Sequence, residues 1–266
     1  MPERIDLIID QLRQQAIRVA PFSRAPYSGR QEACILLLSD GSWIPGVRVE
    51  SASFSLTIPP ILNALTTATA LGRDDVLSIV QSAPFREEDQ TFLRTNTGHG
   101  FTQLSDDVFV SGDPERFPAP VERLSPFQAG EPPDSPRTGI AMARRIAIRA
   151  RVQESGFRVG ALAVTGTGQM IPGVNVEYPD WSRILCAERN ALGTAISYGH
   201  PSIKAMYLTC PSDPGCSPCG ACRQLLAELS PEATLWIDRG EQEPQRVRPE
   251  ELLPGFFSGA YIPLHS

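Results

Sequence analysis

Lysine is almost missing from this chain: Lys204 is the only one in 266 residues, although Lys and Arg together number 24. An amine nucleophile for Schiff-base chemistry therefore has a single candidate position. Long apolar runs are missing too. None approaches the roughly 18 residues that a membrane-spanning helix needs. The N-terminal Met1-Pro2-Glu3-Arg4 lacks the basic and then apolar layout of a secretory signal. A cytoplasmic protein with no membrane partner is expected. Nor is there a basic excess. The formal net charge is −6, which argues against a nucleic acid polymer as partner, since such binders carry a basic face.

What is present is a chain that repeats itself. Ile44-Pro45-Gly46-Val47-Arg48-Val49-Glu50 recurs as Ile171-Pro172-Gly173-Val174-Asn175-Val176-Glu177, a shift of 127 positions. The same shift carries Asn63-Ala64-Leu65 onto Asn190-Ala191-Leu192, Ser28-Gly29 onto Ser155-Gly156, and Gly72 onto Gly199. A gap-free set of matches points to two domains of one fold. The segment Gly130-Glu131-Pro132-Pro133-Asp134-Ser135-Pro136 has linker composition. The expected division is 1–130 and 131–266.

Each half opens on a helical spacing of apolar residues, Ile5, Ile8, Ile9, Leu12 and Ala16 in the first and Ile140, Ala143, Ala147 and Ala150 in the second. In the second half Ala161–Val164 and Met170–Val176 flank Gly166-Thr167-Gly168, which predicts an antiparallel hairpin. Ala187, Ala191, Leu192 and Ala195 predict a helix stopped near Gly199, and Cys222, Leu225, Leu226 and Leu229 predict another. Ala205–Thr209 and Thr234–Ile237 read as buried strands. Helices alternating with strands imply an α/β fold: two tandem α/β/α sandwich domains, each a central mixed sheet flanked by helices.

The six cysteines are unevenly placed. Cys34 stands alone, and Cys186, Cys210, Cys216, Cys219 and Cys222 crowd the second half. Such clustering favours metal or catalysis over disulfides in a cytosolic chain. Cys219 and Cys222 form a C-x-x-C pair at a predicted helix start, where the helix N-terminus favours thiolates. Cys186 begins a second helix, and Glu188 follows it by two residues. A structural zinc site closed by Cys210 or Cys216 is one reading of this set. An iron–sulfur cluster is another, but a ferredoxin-like spacing calls for a fourth cysteine at position 226, which holds Leu226. A catalytic zinc site wants three protein ligands, a position for water and a carboxylate base. Glu188 beside the cysteines has a use only in that last reading.

Cys186-Ala187-Glu188-Arg189 together with Pro218-Cys219-Gly220-Ala221-Cys222-Arg223-Gln224 resembles the cytidine deaminase family, in its three-cysteine branch. Ser155-Gly156-Phe157-Arg158-Val159-Gly160-Ala161, Asn175-Val176-Glu177 and Glu250-Glu251-Leu252-Leu253-Pro254-Gly255 extend the similarity over roughly 138–260. The resemblance implies Zn²⁺ held by Cys186, Cys219 and Cys222, with Glu188 as the proton shuttle for a zinc-bound hydroxide attacking C4 of the cytosine ring. It implies Asn175 and Glu177 on the ribose hydroxyls, Phe157 stacked on the base, and backbone contacts to the base at Ala187 and Ser217. Arg189, on the helix face of Cys186, would donate to a thiolate. Tyr178 and Trp181 depart from the family's usual Asn and Tyr at these positions.

The implied reaction is hydrolytic deamination of cytidine or deoxycytidine to uridine or deoxyuridine, in pyrimidine salvage. Alternatives are a related aminopyrimidine nucleoside or nucleotide as substrate, or a catalytically silent, zinc-stabilised nucleoside-binding protein. In the first half Pro59 falls at the position of Cys186, Ile61 at that of Glu188, Leu62 at that of Arg189 and Arg48 at that of Asn175. No P-C-x-x-C lies between Pro84 and Val110. That half is expected to be a degenerate, zinc-less domain. Since the family's sites are completed in four-domain assemblies, the resemblance implies a homodimer.

Overall fold

A computed structural model describes residues 2–95, 100–260 and 262–264 of the chain. The first half begins with α1 (Pro2–Val19), whose Ile8, Ile9, Leu12 and Ala16 are buried as the helical spacing requires. It continues through β1 (Ala33–Leu38), β2 (Trp43–Val47), α2 (Pro60–Ala70), β3 (Val76–Gln81), α3 (Glu87–Thr95), β4 (Thr102–Ser105) and β5 (Val108–Val110). The second half runs α4 (Pro136–Ala147), β6 (Gly160–Thr165), β7 (Met170–Val174), α5 (Ala187–Ser197), β8 (Ile203–Thr209), α6 (Gly220–Leu229), β9 (Thr234–Ile237), β10 (Gln245–Val247) and α7 (Pro249–Leu252).

Each half carries one five-stranded sheet, in the orders β2-β1-β3-β5-β4 and β10-β9-β8-β6-β7. The repeat is visible down to single bridges. Arg24 pairs with Val49 and Val49 with Ile58; 127 residues on, Arg151 pairs with Val176 and Val176 with Leu185. The glycines shared by the repeated segment have one physical cause. A Cβ on Gly46 would collide with the Pro60 carbonyl and Ala64, and one on Gly173 with the Ala187 carbonyl and Ala191. Each therefore lets a helix lie directly on a strand. Pro45 and Pro172 are tolerated because β2 and β7 are edge strands, where a missing N–H breaks no ladder.

The halves differ in one respect that the sequence pattern did not show. β8 and β9 are parallel, joined by the α6 crossover, so the second sheet is mixed. The first is antiparallel throughout. After α3 the chain forms the β4–β5 hairpin. β5, running opposite to β4, takes the place beside β3, and β4 is left at the edge.

The two halves pack through the repeated helices. α2 and α5 are buried along their whole lengths. Asn63 donates to the Gly193 carbonyl and the Ser197 hydroxyl, at 3.2 and 3.0 Å, and Asn190 donates to Thr66 at 3.1 Å. Asn63 and Asn190 are repeat equivalents, as are Thr66 and Gly193, so the contact is reciprocal, as across a two-fold axis. Two buried charges also cross this junction: the Arg183 guanidinium lies 2.7 Å from the Asp89 carboxylate. Glu228 of α6, nearly buried, accepts from Ser51 Oγ at 2.8 Å and from the Ala52 N–H at 3.0 Å. Among the described residues no helix is long and apolar enough to cross a membrane.

Candidate active site

Two helix starts converge in the second half. Cys186 is the N-cap of α5 and Cys219 the N-cap of α6, both with extended backbone. Neither thiol caps its own helix through a hydrogen bond. Cys222 lies within the first turn of α6 and is buried, whereas Cys186 is half-buried and Cys219 exposed. The sulfurs of Cys186 and Cys219 lie 3.7 Å apart, and all three sulfurs lie within 4.8 Å of one another. Tetrahedral zinc with Zn–S bonds of about 2.3 Å sets its sulfurs about 3.8 Å apart. The donor set and its spacing therefore fit zinc.

The thiols polarise one another. Hydrogen bonds from Cys186 and Cys222, and from the α6 backbone N–H groups at Ala221 and Cys222, hold the Cys219 thiol well below its ordinary range. Donating to Cys219 pushes the Cys186 thiol up, and donating to its two neighbours pushes Cys222 up. One anion is thus already favoured at the site, at two helix N-termini that suit negative charge.

Glu188 is only 3% exposed. Burial pushes its carboxyl up to about 7, reinforced by the charge of Cys219 and opposed by hydrogen bonds from its own backbone and from Cys222. Arg189 donates from Nη2 to the Leu56 carbonyl of the first half, at 3.0 Å, while its Nε is buried with no hydrogen-bond partner among the described residues. That unpaired donor belongs to the residue for which the sequence suggests a thiolate partner.

The remaining expected residues differ in burial and in the contacts they make. Asn175 braces a loop, accepting from the Val159 N–H and donating to the Phe157 carbonyl, both at 2.8 Å. Phe157 is half-exposed on that loop. Glu177 accepts from the N–H groups of Glu154 and Ser155, both at 3.0 Å, and from the Ser155 hydroxyl. Ala187 is fully buried, and Ser217 is exposed beside Cys219. Trp181 is 76% exposed, and Tyr178 meets Phe92 of the first half edge-on at 4.9 Å.

Arg223 is a residue whose part could not be read from the motif that contains it. Its guanidinium donates to the Pro218 carbonyl at 2.8 Å, to Ser217 Oγ at 2.9 Å and to the Leu252 carbonyl at 3.2 Å. It thereby clamps the loop that delivers Cys219. Cys210 and Cys216, expected outside the metal's ligand set, form a disulfide. The preference for metal over disulfides thus holds for three of the six cysteines and not for this pair. A turn from Cys210 to Asp213 and on to Cys216 folds the segment back on itself and brings the two sulfurs together.

Three thiols close enough to share one ion, with a buried carboxylate beside them in an α/β sandwich, form a cluster suited to zinc. The family model "Cytidine and deoxycytidylate deaminase zinc-binding region" matches residues 134–237, and a second model of the same description matches residues 2–97. A cytidine deaminase of Halalkalibacterium halodurans is 38% identical over 117 residues, covering 42% of this chain and 89% of the relative. One from Sporosarcina psychrophila is 34% identical over 120 residues, covering 45% of this chain and 88% of the relative. The crystal structure of a cytidine deaminase from Burkholderia pseudomallei is 31% identical with a TM-score of 0.43, covering 46% of this chain and 98% of its own. The chain belongs to the cytidine and deoxycytidylate deaminase family, in a tandem form with two such domains and with zinc as its cofactor.

Proposed function

We propose that this protein hydrolytically deaminates cytidine or deoxycytidine to the uridine nucleoside, as a step of pyrimidine salvage, at a single site in the domain of residues 131–266. The observation that carries the reading is the buried Glu188 carboxylate beside three thiols suited to zinc. Cys186, Cys219 and Cys222 would hold the ion, which supplies Lewis acidity and lowers the pKa of a nearby water. Glu188 takes a proton from that water and gives one to N3 of the ring as oxygen adds at C4. It then takes the proton of the C4 hydroxyl and passes it to the exocyclic nitrogen, so that the C4–N bond breaks, ammonia leaves and the C4 carbonyl forms. Glu177 has acceptor capacity left for a ribose hydroxyl. Asn175 holds the loop that carries Phe157 toward the base, and the backbone at Ala187 and Ser217 is available to the base. Arg189, through its unpaired Nε, steadies the thiolates.

The domain of residues 1–130 acts in this reading as a scaffold without chemistry. Pro59 caps α2 with the backbone that Cys186 has at α5, and Ile61 is fully buried where α5 has Glu188. The exposure of Cys219, Trp181 and Phe157 supports a homodimer in which a second copy covers these residues. Ammonia release from cytidine, deoxycytidine, CMP and cytosine tests the assignment. Turnover of the two nucleosides at rates well above CMP and the free base is expected. Turnover of CMP alone would transfer the reading to a nucleotide substrate, and no turnover of any would end it.

A further inference from the structure

A cavity walled mainly by the first half, with Ile262 of the second half at its edge, is lined by none of the three thiols. It encloses about 470 Å³ and is lined by Tyr27, Arg48, Glu50, Phe54, Pro59 and Arg86, among others. That volume is in the range of pockets that take small organic ligands. The repeat places it at the counterpart of the candidate active site, with Pro59 where Cys186 stands and Glu50 where Glu177 stands.

The two carboxylates sit in the same cradle and differ in one contact. Glu177 accepts from Glu154 N, Ser155 N and Ser155 Oγ. Glu50 accepts from Tyr27 N at 3.0 Å, Ser28 N at 3.1 Å and Ser28 Oγ. A carboxylate has about four acceptor positions. Among the described residues nothing takes the fourth on Glu177, whereas on Glu50 it is filled by Arg48 Nε at 2.9 Å. The place where a neutral hydroxyl could dock is thus plugged by a guanidinium, and the cavity's polar chemistry changes from accepting to donating. Arg86 adds a second guanidinium to the wall. It is tied by Nε to Asp89 and by Nη1 to Glu88, both at 3.2 Å, and Arg48 Nη1 lies 3.7 Å from Glu32. Among the described residues the hydrogen bonds these two guanidinium groups donate leave from Nε, to Glu50 and Asp89. Tyr27 and Phe54 meet edge-on with centroids 6.1 Å apart, giving an aromatic corner beside the guanidinium groups. Phe54 is 64% exposed there.

We propose that this cavity is a non-catalytic binding site for a nucleoside monophosphate, with the phosphate on Arg48 and Arg86 and the base against Tyr27 and Phe54. Two arginines suit a phosphate because their planar forks donate in pairs to its oxygens. An aromatic corner offers a ring-sized apolar contact. With a proline and an isoleucine at the positions of the thiol and the carboxylate, a bound nucleotide meets no group that could act on its base.

Calorimetric titration of the zinc-loaded full chain with CMP, in saturating uridine to fill the other domain, tests the site. One CMP per chain is expected. Arg86→Gln should weaken it by about tenfold or more, equivalent to about 1.4 kcal/mol, and Phe54→Ala should weaken it too. Inorganic phosphate should bind at least about tenfold less tightly than CMP, since it lacks the ring contact. Arg86 and Phe54 are exposed enough for both variants to fold, which the melting temperature checks. Arg48→Gln also removes ion pairs and serves only as a third comparison. No heat with CMP, an affinity unchanged in folded Arg86→Gln, or phosphate binding as tightly as CMP each overturns the proposal. Glu188→Gln should leave CMP binding intact, which separates this site from the deaminase reading.

Discussion

The hydroxyls of Thr67 and Thr194 lie 2.7 Å apart in the buried junction between the two halves, and each is the other's counterpart in the repeat. A residue that meets its own equivalent marks the axis of a two-fold contact. The duplicated chain has thus folded as an intramolecular pair of like domains, with α2 and α5 as the shared face. The pairing implies a specific energetic pattern. Thr67→Val or Thr194→Val alone leaves one buried hydroxyl unsatisfied and should cost about 1–3 kcal/mol. The double variant removes both partners together and should be less destabilised than the sum of the singles. Urea unfolding of the four proteins gives the coupling; strict additivity would show that the hydroxyls do not depend on one another.

Metal analysis of the purified chain should find one zinc and no iron. Cys222→Ser should remove most of it, because the three sulfurs lie within 4.8 Å of one another and Cys222 is the buried member. Cys216→Ser should leave it in place, since Cys216 is bonded to Cys210. Two zincs per chain, or zinc loss in the Cys216 variant, would contradict the ligand set.

Glu188→Gln should retain zinc and fold while losing about 10²–10⁴-fold in turnover, the usual contribution of a general acid–base group. Gln preserves the shape of a buried side chain but cannot carry the proton. The measurement is kcat alongside zinc content, and a variant within a few-fold of the parent would remove Glu188 from the mechanism.

Acid should loosen the first domain through Asp107. Its carboxylate receives Arg13 Nε at 2.6 Å and Nη2 at 2.8 Å, tying α1 to the β4–β5 hairpin. The Arg13 hydrogen bond, opposed in part by burial, holds the Asp107 carboxyl below its ordinary range. A depressed carboxyl contributes stability that is fully present above its unfolded value of about 3.9 and is lost as the pH falls toward its folded value. Asp107→Asn should therefore lower stability at neutral pH and flatten its decline below about pH 4. Equal slopes for parent and variant in urea titrations across that range would count against the ion pair.

Local pattern carried much of this protein. The apolar spacing of Ile8, Ile9 and Leu12 was enough for α1, and the alternation around Gly166-Thr167-Gly168 for the β6–β7 hairpin, because these depend on neighbours a turn or a strand away. The tandem fold class was legible because Ile44–Glu50 and Ile171–Glu177 repeat one packing demand, a glycine under a helix on an edge strand. The three cysteines with Glu188 were legible because helix starts place their side chains predictably. The antiparallel character of the first sheet was not, because strand order after α3 depends on which of β4 and β5 reaches β3.

Sequence by itself determined the duplication, the metal-binding residue types and the loss of those types from the first half, since each is a matter of identity at a position. Tertiary structure alone decided what the two halves do to each other. That Thr67 meets Thr194, that Arg183 finds Asp89, that Arg189 reaches Leu56 and that Arg48 fills the last acceptor place on Glu50 are facts of orientation. Apart from the Arg48–Glu50 contact, they join residues far apart in the chain, and side-chain direction across a packed junction is set by the whole core and not by any one segment.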